Sequence, residues 1–180
     1  MKGKFERKPD EPQIREKKQN RVLIAKGLWK WLVGAVVLAV LMLNLFTHIL
    51  QIVNYNGTGM EPTLRGGQTL VIQKTQKVRE GDIIAFYYNN QVLVRRVICE
   101  GGKQLEIDDH GTVRINGAEL PEPYLKSKSL GQSNVTFPLQ VRSGTVFVMG
   151  DNRAEAMDSR LEEIGTVPMD RIIGKVILTL

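Results

Sequence analysis

The sequence has little of the chemistry that builds disulfide scaffolds or metal centres. Its 180 residues include one cysteine, Cys99, and two histidines, His48 and His110. A single cysteine excludes a framework of internal disulfides, so Cys99 is expected to be a small hydrophobic residue of the core. The two histidines lie far apart, with His110 in a predicted turn, and they do not form a cluster of metal ligands. We therefore expect neither a metal nor another cofactor.

Charged side chains are missing from one long stretch. Residues 31–60 contain no Asp, Glu, Lys or Arg, and most residues from Trp31 to Val53 are apolar. A helix needs about 20 apolar residues to cross a hydrocarbon core of about 30 Å, and this run supplies them. We expect its second half to reach the headgroups, because it contains all four polar residues; a contact with a partner helix is the alternative. These four are Asn44, Thr47, His48 and Gln51.

Acidic and basic residues balance everywhere except at the N-terminus. Residues 1–30 hold ten Lys or Arg and four Asp or Glu, a net charge of +6, which equals that of the whole chain. A basic flank before a membrane span predicts that the N-terminus stays in the cytoplasm and that the following domain lies outside. We therefore predict a basic cytoplasmic tail at 1–27, a transmembrane signal anchor at 28–53 and an extracytoplasmic domain at 54–180.

Two other interpretations of the N-terminus are less satisfactory. A basic tail can bind nucleic acid, but this leaves the spanning helix unexplained, so we expect no nucleic-acid partner. A cleaved signal peptide has a shorter apolar run, although Gly57-Thr58-Gly59 offers small residues at a suitable spacing for cleavage. Cleavage there would divide a motif described below, and an uncleaved anchor is the better interpretation.

After Asn54 the sequence changes to short β-type segments separated by turn residues. Strands are predicted at 69–72, 82–88, 91–99, 104–107, 112–115, 145–149 and 172–180, the last two of them buried. Turns are predicted at Asn89-Asn90, 108–111 and Asn116-Gly117. No long segment with a helical period follows the apolar run. The sequence thus predicts a mainly β protein in which an N-terminal transmembrane helix precedes an all-β domain.

Four short motifs follow one another in this domain. They are Gly59-Met60-Glu61-Pro62-Thr63-Leu64, Gly81-Asp82-Ile83-Ile84-Ala85-Phe86, Val94-Arg95-Arg96-Val97-Ile98, and Gly150-Asp151-Asn152-Arg153 with Asp158-Ser159-Arg160. The ordered set, behind a membrane anchor, resembles type I signal peptidases of the compact Gram-positive kind. The resemblance covers roughly residues 32–180 and includes the segment NGAELPEPYL at 116–125. It implies coiled antiparallel β-sheets, a Ser/Lys dyad at the outer surface of a bacterial membrane, and a groove that binds signal peptides as an added strand.

The two residues of that dyad are replaced in this chain. The family has a serine directly before the methionine of the first motif, where Gly59 stands, and a lysine at the position of Arg95. Gly59 has no nucleophile, and a guanidinium with a pKa above about 12 cannot act as a general base. Ala156 occupies a third position, where the family usually has a serine that positions the lysine. We therefore predict that no catalytic residue is intact.

The other motif residues are expected to be structural. They are Met60, Pro62, Asp82, Gly150, Asp151, Asn152, Arg153, Asp158 and Arg160, and the last two could form an ion pair. The resemblance places Tyr55 and Val94 beside the peptide groove, and core packing is the alternative. Arg95 needs either solvent, reached through the space of the missing serine, or a carboxylate such as Glu155. It could also bind a peptide carbonyl or a C-terminal carboxylate.

Three functions are consistent with these features. The first is an inactive signal-peptidase-like membrane protein that binds extended segments of exported proteins or assists the assembly of surface proteins. The second is an active peptidase that uses Thr58, although a shift of one residue sends a side chain to the opposite face of an extended segment. The third is a scaffold for a membrane complex. Self-cleaving repressor proteases share the Ser/Lys chemistry, but they have a DNA-binding head where this chain has a membrane helix.

Overall fold

The computed structural model describes residues 11–180, including the side chains from residue 28 onward except that of residue 45. The first element is the helix α1 (Glu11–Ile49). Its part Leu28–Ile49, 22 residues, is long and apolar enough to cross a membrane. Residues 1–10 of the predicted tail lie outside the described residues. The chain divides into two compact units: the first contains the helix as far as Thr47, and the second, 48–180, contains all the strands of the described residues.

The second unit consists of antiparallel sheets, as the sequence predicts. Its strands are β1 (Leu50–Tyr55), β2 (Gln68–Gln73), β3 (Ile83–Tyr88), β4 (Gln91–Glu100), β5 (Gln104–Ile107), β6 (Val113–Ile115), β7 (Ala118–Glu119), β8 (Leu139–Gln140), β9 (Thr145–Met149), β10 (Val167–Pro168) and β11 (Ile172–Thr179), and a 3-10 turn, Met169–Arg171, precedes the last. One sheet has the order β1-β2-β11-β3-β4-β9-β10, and a smaller sheet has the order β7-β6-β5-β8.

The β3–β4 hairpin shows why the turn residues were informative. Its two-residue connection is Asn89-Asn90, and both residues have positive φ, 44° and 62°. Asparagine tolerates this left-handed region better than most residues, and two-residue hairpins favour it because its twist matches that of the strands. Tyr88 and Gln91 therefore pair directly, and the register continues to the pair Ile83 and Arg96.

Two features differ from the prediction: the end of the helix and the burial of the last strand. The helix ends at Ile49, so residues 50–53, which were assigned to the anchor, belong to β1 and pair with β2 from Leu50–Gln73 to Tyr55–Gln68. Apolar β-branched residues such as Ile52 and Val53 suit a strand and a span equally, and only the pairing with β2 separates the two. The final strand is buried in its first half alone, since its last residues are exposed.

The part of the core that supports the site is a cluster between β1, β2, β3 and β4. It comprises Tyr55, Met60, Leu64, Leu70, Ile72, Ala85 and Val94. Met60 and Leu64 come from the first motif, and both are almost completely buried. Burying side chains of this size contributes about 1.5–3 kcal/mol each to the free energy of unfolding. The motif is therefore attached to the sheet through its own hydrophobic residues.

Candidate functional site

The first and third motifs meet at one cavity of about 280 Å³, called the Gly59 cavity below. Its walls are the segment 53–59 at the end of β1 and the segment 91–95 at the beginning of β4. Glu155 and Met157 from the loop after β9 close one side. Tyr55, Gly59, Val94 and Arg95, which the sequence analysis placed together, all line this cavity.

The loop after Tyr55 is held by a short set of hydrogen bonds. The Met60 backbone N–H donates to the Tyr55 hydroxyl at 3.1 Å, and the Leu64 N–H donates to the Met60 carbonyl at 2.9 Å. Asn152 supports the preceding residues, since its N–H donates to the Gly59 carbonyl at 3.0 Å and its side-chain amide donates to the Thr58 carbonyl at 3.2 Å. The backbone around Gly59 is therefore held by Tyr55 through Met60 and by Asn152 through Thr58 and Gly59.

The Arg95 guanidinium packs tightly against the position at which a side chain on residue 59 would begin. A Cβ placed on Gly59 would lie 3.1 Å from Arg95 Nη2, 3.2 Å from Cζ and 3.3 Å from Nη1. The side chain is held there because Nε donates to the Met157 carbonyl at 2.9 Å and Nη1 donates to the Val94 carbonyl at 2.6 Å. Burial lowers the pKa of Arg95, and the nearby Asp158 carboxylate partly offsets this. The guanidinium nevertheless stays protonated at neutral pH.

Arg95 differs from the other buried arginines of the described domain in its partners. Arg96 pairs with Asp151, Arg153 with Glu122, and Arg160 with Asp158. Arg95, only 7% exposed, has no ion pair with a carboxylate among the described residues. The suggested pair with Glu155 is not formed, because the Glu155 carboxylate accepts from Thr58 Oγ1 at 3.4 Å and from Asn152 Nδ2 at 3.3 Å instead. Among the described residues, the only acceptors that Arg95 has are the main-chain carbonyls of Met157 and Val94.

The ion pair suggested for Asp158 and Arg160 is present and completely buried. Arg160 Nη2 lies 2.7 Å from Asp158 Oδ2, and Arg160 Nη1 donates to the Leu130 and Arg153 carbonyls at 2.6 and 2.8 Å. The same Asp158 oxygen accepts the Gly150 N–H at 2.9 Å. This pair therefore ties the turn that begins at Gly150 to the loop that carries Ala156.

A second buried network was only partly visible in the sequence. Asp151 accepts hydrogen bonds from Arg96 Nε at 2.9 Å and from the Thr63 hydroxyl. The Arg96 guanidinium also lies 3.9 Å from the centre of the Tyr124 ring, and Tyr124 donates to Glu122 at 2.8 Å. Arg96, Glu122 and Tyr124 were not singled out individually, although all three lie in segments that carried the resemblance. The sequence signal that could have identified them is their position within these segments. Residue type alone does not distinguish a buried charged side chain from an exposed one.

None of the nine predicted structural residues is among those that line the cavity. Pro62 is exposed in the loop between Met60 and Leu64. Asp82 begins the segment that leads into β3, and its carboxylate accepts the Arg79 N–H at 3.0 Å. Both shape the backbone near the site, and neither touches the space beside Gly59.

Gly150 approaches the site so closely that it cannot carry a side chain. A Cβ there would lie 2.3 Å from the Gly59 carbonyl oxygen and 2.3 Å from the Ala156 Cβ. We expect Gly150→Ala to lower the free energy of unfolding by about 2–3 kcal/mol, measured by urea unfolding of the protein in detergent.

Gly66→Ala is the matched control for this substitution. A Cβ on Gly66 would meet only the Gly57 backbone at 3.6 Å, an ordinary contact. Its effect is expected within about 0.5 kcal/mol of zero. Equal stabilities of the two variants would contradict the close approach of Gly150 to Gly59.

The residues that line the cavity include no serine. No lysine is among the residues that line it, and Lys103 is bound to Glu80 at 2.8 Å elsewhere. Cys99 is fully buried, and burial raises the pKa of its thiol to about 11, so it is no substitute nucleophile. Thr58 carries the only aliphatic hydroxyl among the lining residues, and its neighbour is the Glu155 carboxylate. A carboxylate is a weaker base than the neutral lysine amine that activates a serine.

Comparisons with known proteins all identify signal peptidases as similar to this chain. Residues 28–180 match the family described as signal peptidase, peptidase S26. The chain is 36% identical over 154 residues to signal peptidase I T of Bacillus subtilis (strain 168), covering 78% of this chain and 79% of that protein. It is 33% identical over 184 residues to a signal peptidase I of Bacillus amyloliquefaciens, covering 94% and 90%. The crystal structure of a signal peptidase I from Enterococcus faecalis V583 matches with a TM-score of 0.48 and 34% identity, covering 57% of this chain and 97% of that one.

Proposed function

Because the chain belongs to the signal peptidase family, peptidase S26, we propose that it is a membrane-anchored member that binds extended peptide segments without cleaving them. The observation that supports this is the position of Arg95 against Gly59. The guanidinium packs tightly against the position at which a serine side chain would begin, and it donates to two main-chain carbonyls. In this proposal Gly59 replaces the nucleophile and Arg95 replaces the base, and the larger Arg95 side chain is accommodated because Gly59 has no side chain.

Peptide binding is supported by two unpaired strand edges that face the same cavity. β1 is the edge strand of the large sheet, so one side of residues 53–55 has no strand partner among the described residues. β9 pairs with β4 only from Arg96 onward, which leaves residues 91–95 unpaired on that side. Unpaired N–H and C=O groups are the standard means by which a sheet captures an extended peptide as a further strand.

The proposed location follows from the helix and the charge of the N-terminus. The apolar segment Leu28–Ile49 would anchor the chain in a bacterial cell membrane. The net charge of +6 in residues 1–30 would keep the N-terminus in the cytoplasm and the β domain outside. The ligands would then be signal peptides or other extended segments of exported proteins, and assistance in surface-protein assembly is one use of such binding.

The alternative is an active signal peptidase whose nucleophile is Thr58. It is favoured by one observation, since the Thr58 hydroxyl donates to Glu155 at 3.4 Å at the side of the cavity. That distance is long for a hydrogen bond between oxygens, and Glu155 is exposed, so this pair is a weak candidate for nucleophile and base.

A cleavage assay separates the two functions. We expect the full-length chain in detergent to leave a secretory preprotein uncut, while signal peptidase I T of Bacillus subtilis, as positive control, cuts it. Cleavage by this chain that is abolished by Thr58→Val would establish the Thr58 enzyme. Cleavage that persists in Thr58→Val would show that the site has been placed wrongly.

A further inference from the structure

The Gly59 cavity has a distinct end, and Arg95 lies there. β1 pairs antiparallel with β2, β2 with β11, β11 with β3 and β3 with β4, so β1 and β4 run in the same direction. The two walls of the cavity, 53–59 and 91–95, therefore progress together, and their last residues are Gly59 and Arg95. A peptide that adds as a strand between these walls has one end of its bound segment at Arg95.

Arg95 has donors left for such a ligand. Its Nε and Nη1 donate to main-chain carbonyls, and Nη2 has no hydrogen-bond partner among the described residues. Among those residues, every completely buried side-chain nitrogen has a hydrogen-bond partner. Because Nη2 has none, it is not completely buried, and the side chain to which it belongs lines the cavity. Nη2 carries two N–H groups, and a guanidinium donates best to a carboxylate. The charge is buried and has no carboxylate of its own.

We propose that Arg95 recognises the free C-terminal carboxylate of a peptide bound in the Gly59 cavity. The ligand class is then an extended peptide that ends at this point, such as the product that an endopeptidase releases from a preprotein, and not an uninterrupted chain. The inference rests on the proposed peptide-binding function and adds the identity of the terminal group.

Glu155 sets the strength of this preference. Its carboxylate lines the same cavity and repels a second negative charge there. Because it bonds to Thr58 and Asn152 and not to Arg95, it does not neutralise the guanidinium directly. Glu155→Gln should therefore increase the ratio of acid to amide affinity about two- to fivefold, as expected for one partly screened charge.

The test uses one peptide in two forms. A fluorescent ten-residue peptide from the end of a signal peptide, closing on Ala-Gln-Ala, is prepared as the free acid and as the C-terminal amide. Dissociation constants with the full-length chain in detergent at pH 7 are measured by fluorescence anisotropy. We expect the acid to bind roughly ten- to a hundredfold more tightly than the amide, the range of a hydrogen bond to a charged group.

Variants assign the effect to Arg95. Arg95→Gln should remove the preference, whereas Arg171→Gln, which removes an exposed charge outside the cavity, should retain it. Arg95→Lys serves if the glutamine variant does not fold, and it should reduce the preference at least threefold, because the ammonium is a point charge on a shorter reach.

Each outcome has a distinct meaning. Equal binding of acid and amide by the wild type would overturn the carboxylate inference and leave peptide binding standing. A preference that survives in Arg95→Gln would overturn the role of Arg95. Binding of neither peptide would overturn both the proposed function and the inference that rests on it.

Discussion

Gly59→Ser combined with Arg95→Lys is expected to produce a chain that cleaves preproteins at least about a hundredfold faster than the wild type. In a serine protease with a Ser-His-Asp triad, loss of the serine or its base lowers kcat about a million-fold, so recovery of even a small part of such a contribution is a large signal. The lysine supplies a buried amine whose pKa desolvation lowers, and the serine supplies the hydroxyl that it activates. The measurement is preprotein cleavage in detergent, read on a gel or by a fluorogenic peptide.

The two changes must be made together, because positions 59 and 95 share one space. A Cβ on Gly59 meets three guanidinium atoms of Arg95 at 3.1–3.3 Å, and a serine hydroxyl extends further. Gly59→Ser alone should therefore lower the free energy of unfolding by about 1–3 kcal/mol and remain inactive. In the Arg95→Lys background the same change should cost at least about 0.5 kcal/mol less, which a double-mutant cycle measures.

A third substitution extends the same experiment. Ala156 is buried beside Gly150, and the family resemblance places there a hydroxyl that positions the lysine. Ala156→Ser added to the pair should raise the rate further, while Ala156→Ser alone should leave the wild type silent. If the triple variant is stable and folded but does not cleave, residues other than those at positions 59, 95 and 156 must also prevent catalysis.

Asp158→Asn is expected to lower the free energy of unfolding by about 3–5 kcal/mol, the largest stability effect anticipated in this domain. The substitution keeps the shape of the side chain and removes its charge. Arg160 would then be a fully buried cation without a carboxylate, held only by carbonyls such as those of Leu130 and Arg153. The Gly150 N–H would also lose a charged acceptor. Urea or thermal unfolding followed by circular dichroism provides the measurement.

Glu119→Gln is the matched control, because Glu119 forms an ion pair with Lys128 at the surface. Their side chains are 56% and 39% exposed, against 0% for Asp158 and Arg160. An exposed pair contributes at most about 1 kcal/mol, so this variant should be close to the wild type. Similar losses for both substitutions would show that the Asp158–Arg160 pair is not sealed from solvent.

The strands were predicted well where local chemistry alone decides them. Asn89-Asn90 favours a two-residue turn whatever surrounds it, and the alternating apolar segments on each side became β3 and β4. β1 was missed because Leu50–Tyr55 continues the apolar run of the helix, and its end is defined by pairing with β2, about twenty residues away. The short strands β7, β8 and β10, of two residues each, have no pattern long enough to detect.

The site divides in a similar way. That Gly59 offers no nucleophile and that Arg95 offers no base follow from the residue types, because no environment gives glycine a hydroxyl or makes a guanidinium a useful base. The family, the order of the motifs and the span before them are equally properties of the sequence. The hydrogen-bond partners of Arg95 could not be deduced from the sequence. The sequence-based suggestion that Glu155 pairs with Arg95 was wrong, because that carboxylate accepts hydrogen bonds from Thr58 and Asn152.

Only the tertiary structure decided how Gly59 and Arg95 lie relative to each other. Gly59 lies in the loop that follows β1, and Arg95 lies in β4. The sheet order β1-β2-β11-β3-β4 brings the two residues to the same end of one cavity. There the guanidinium occupies the space that glycine leaves, and one nitrogen stays open to a ligand. The physical reason is that chemical capability belongs to the residue type, whereas occupancy, burial and partnership depend on distances between segments far apart in the chain.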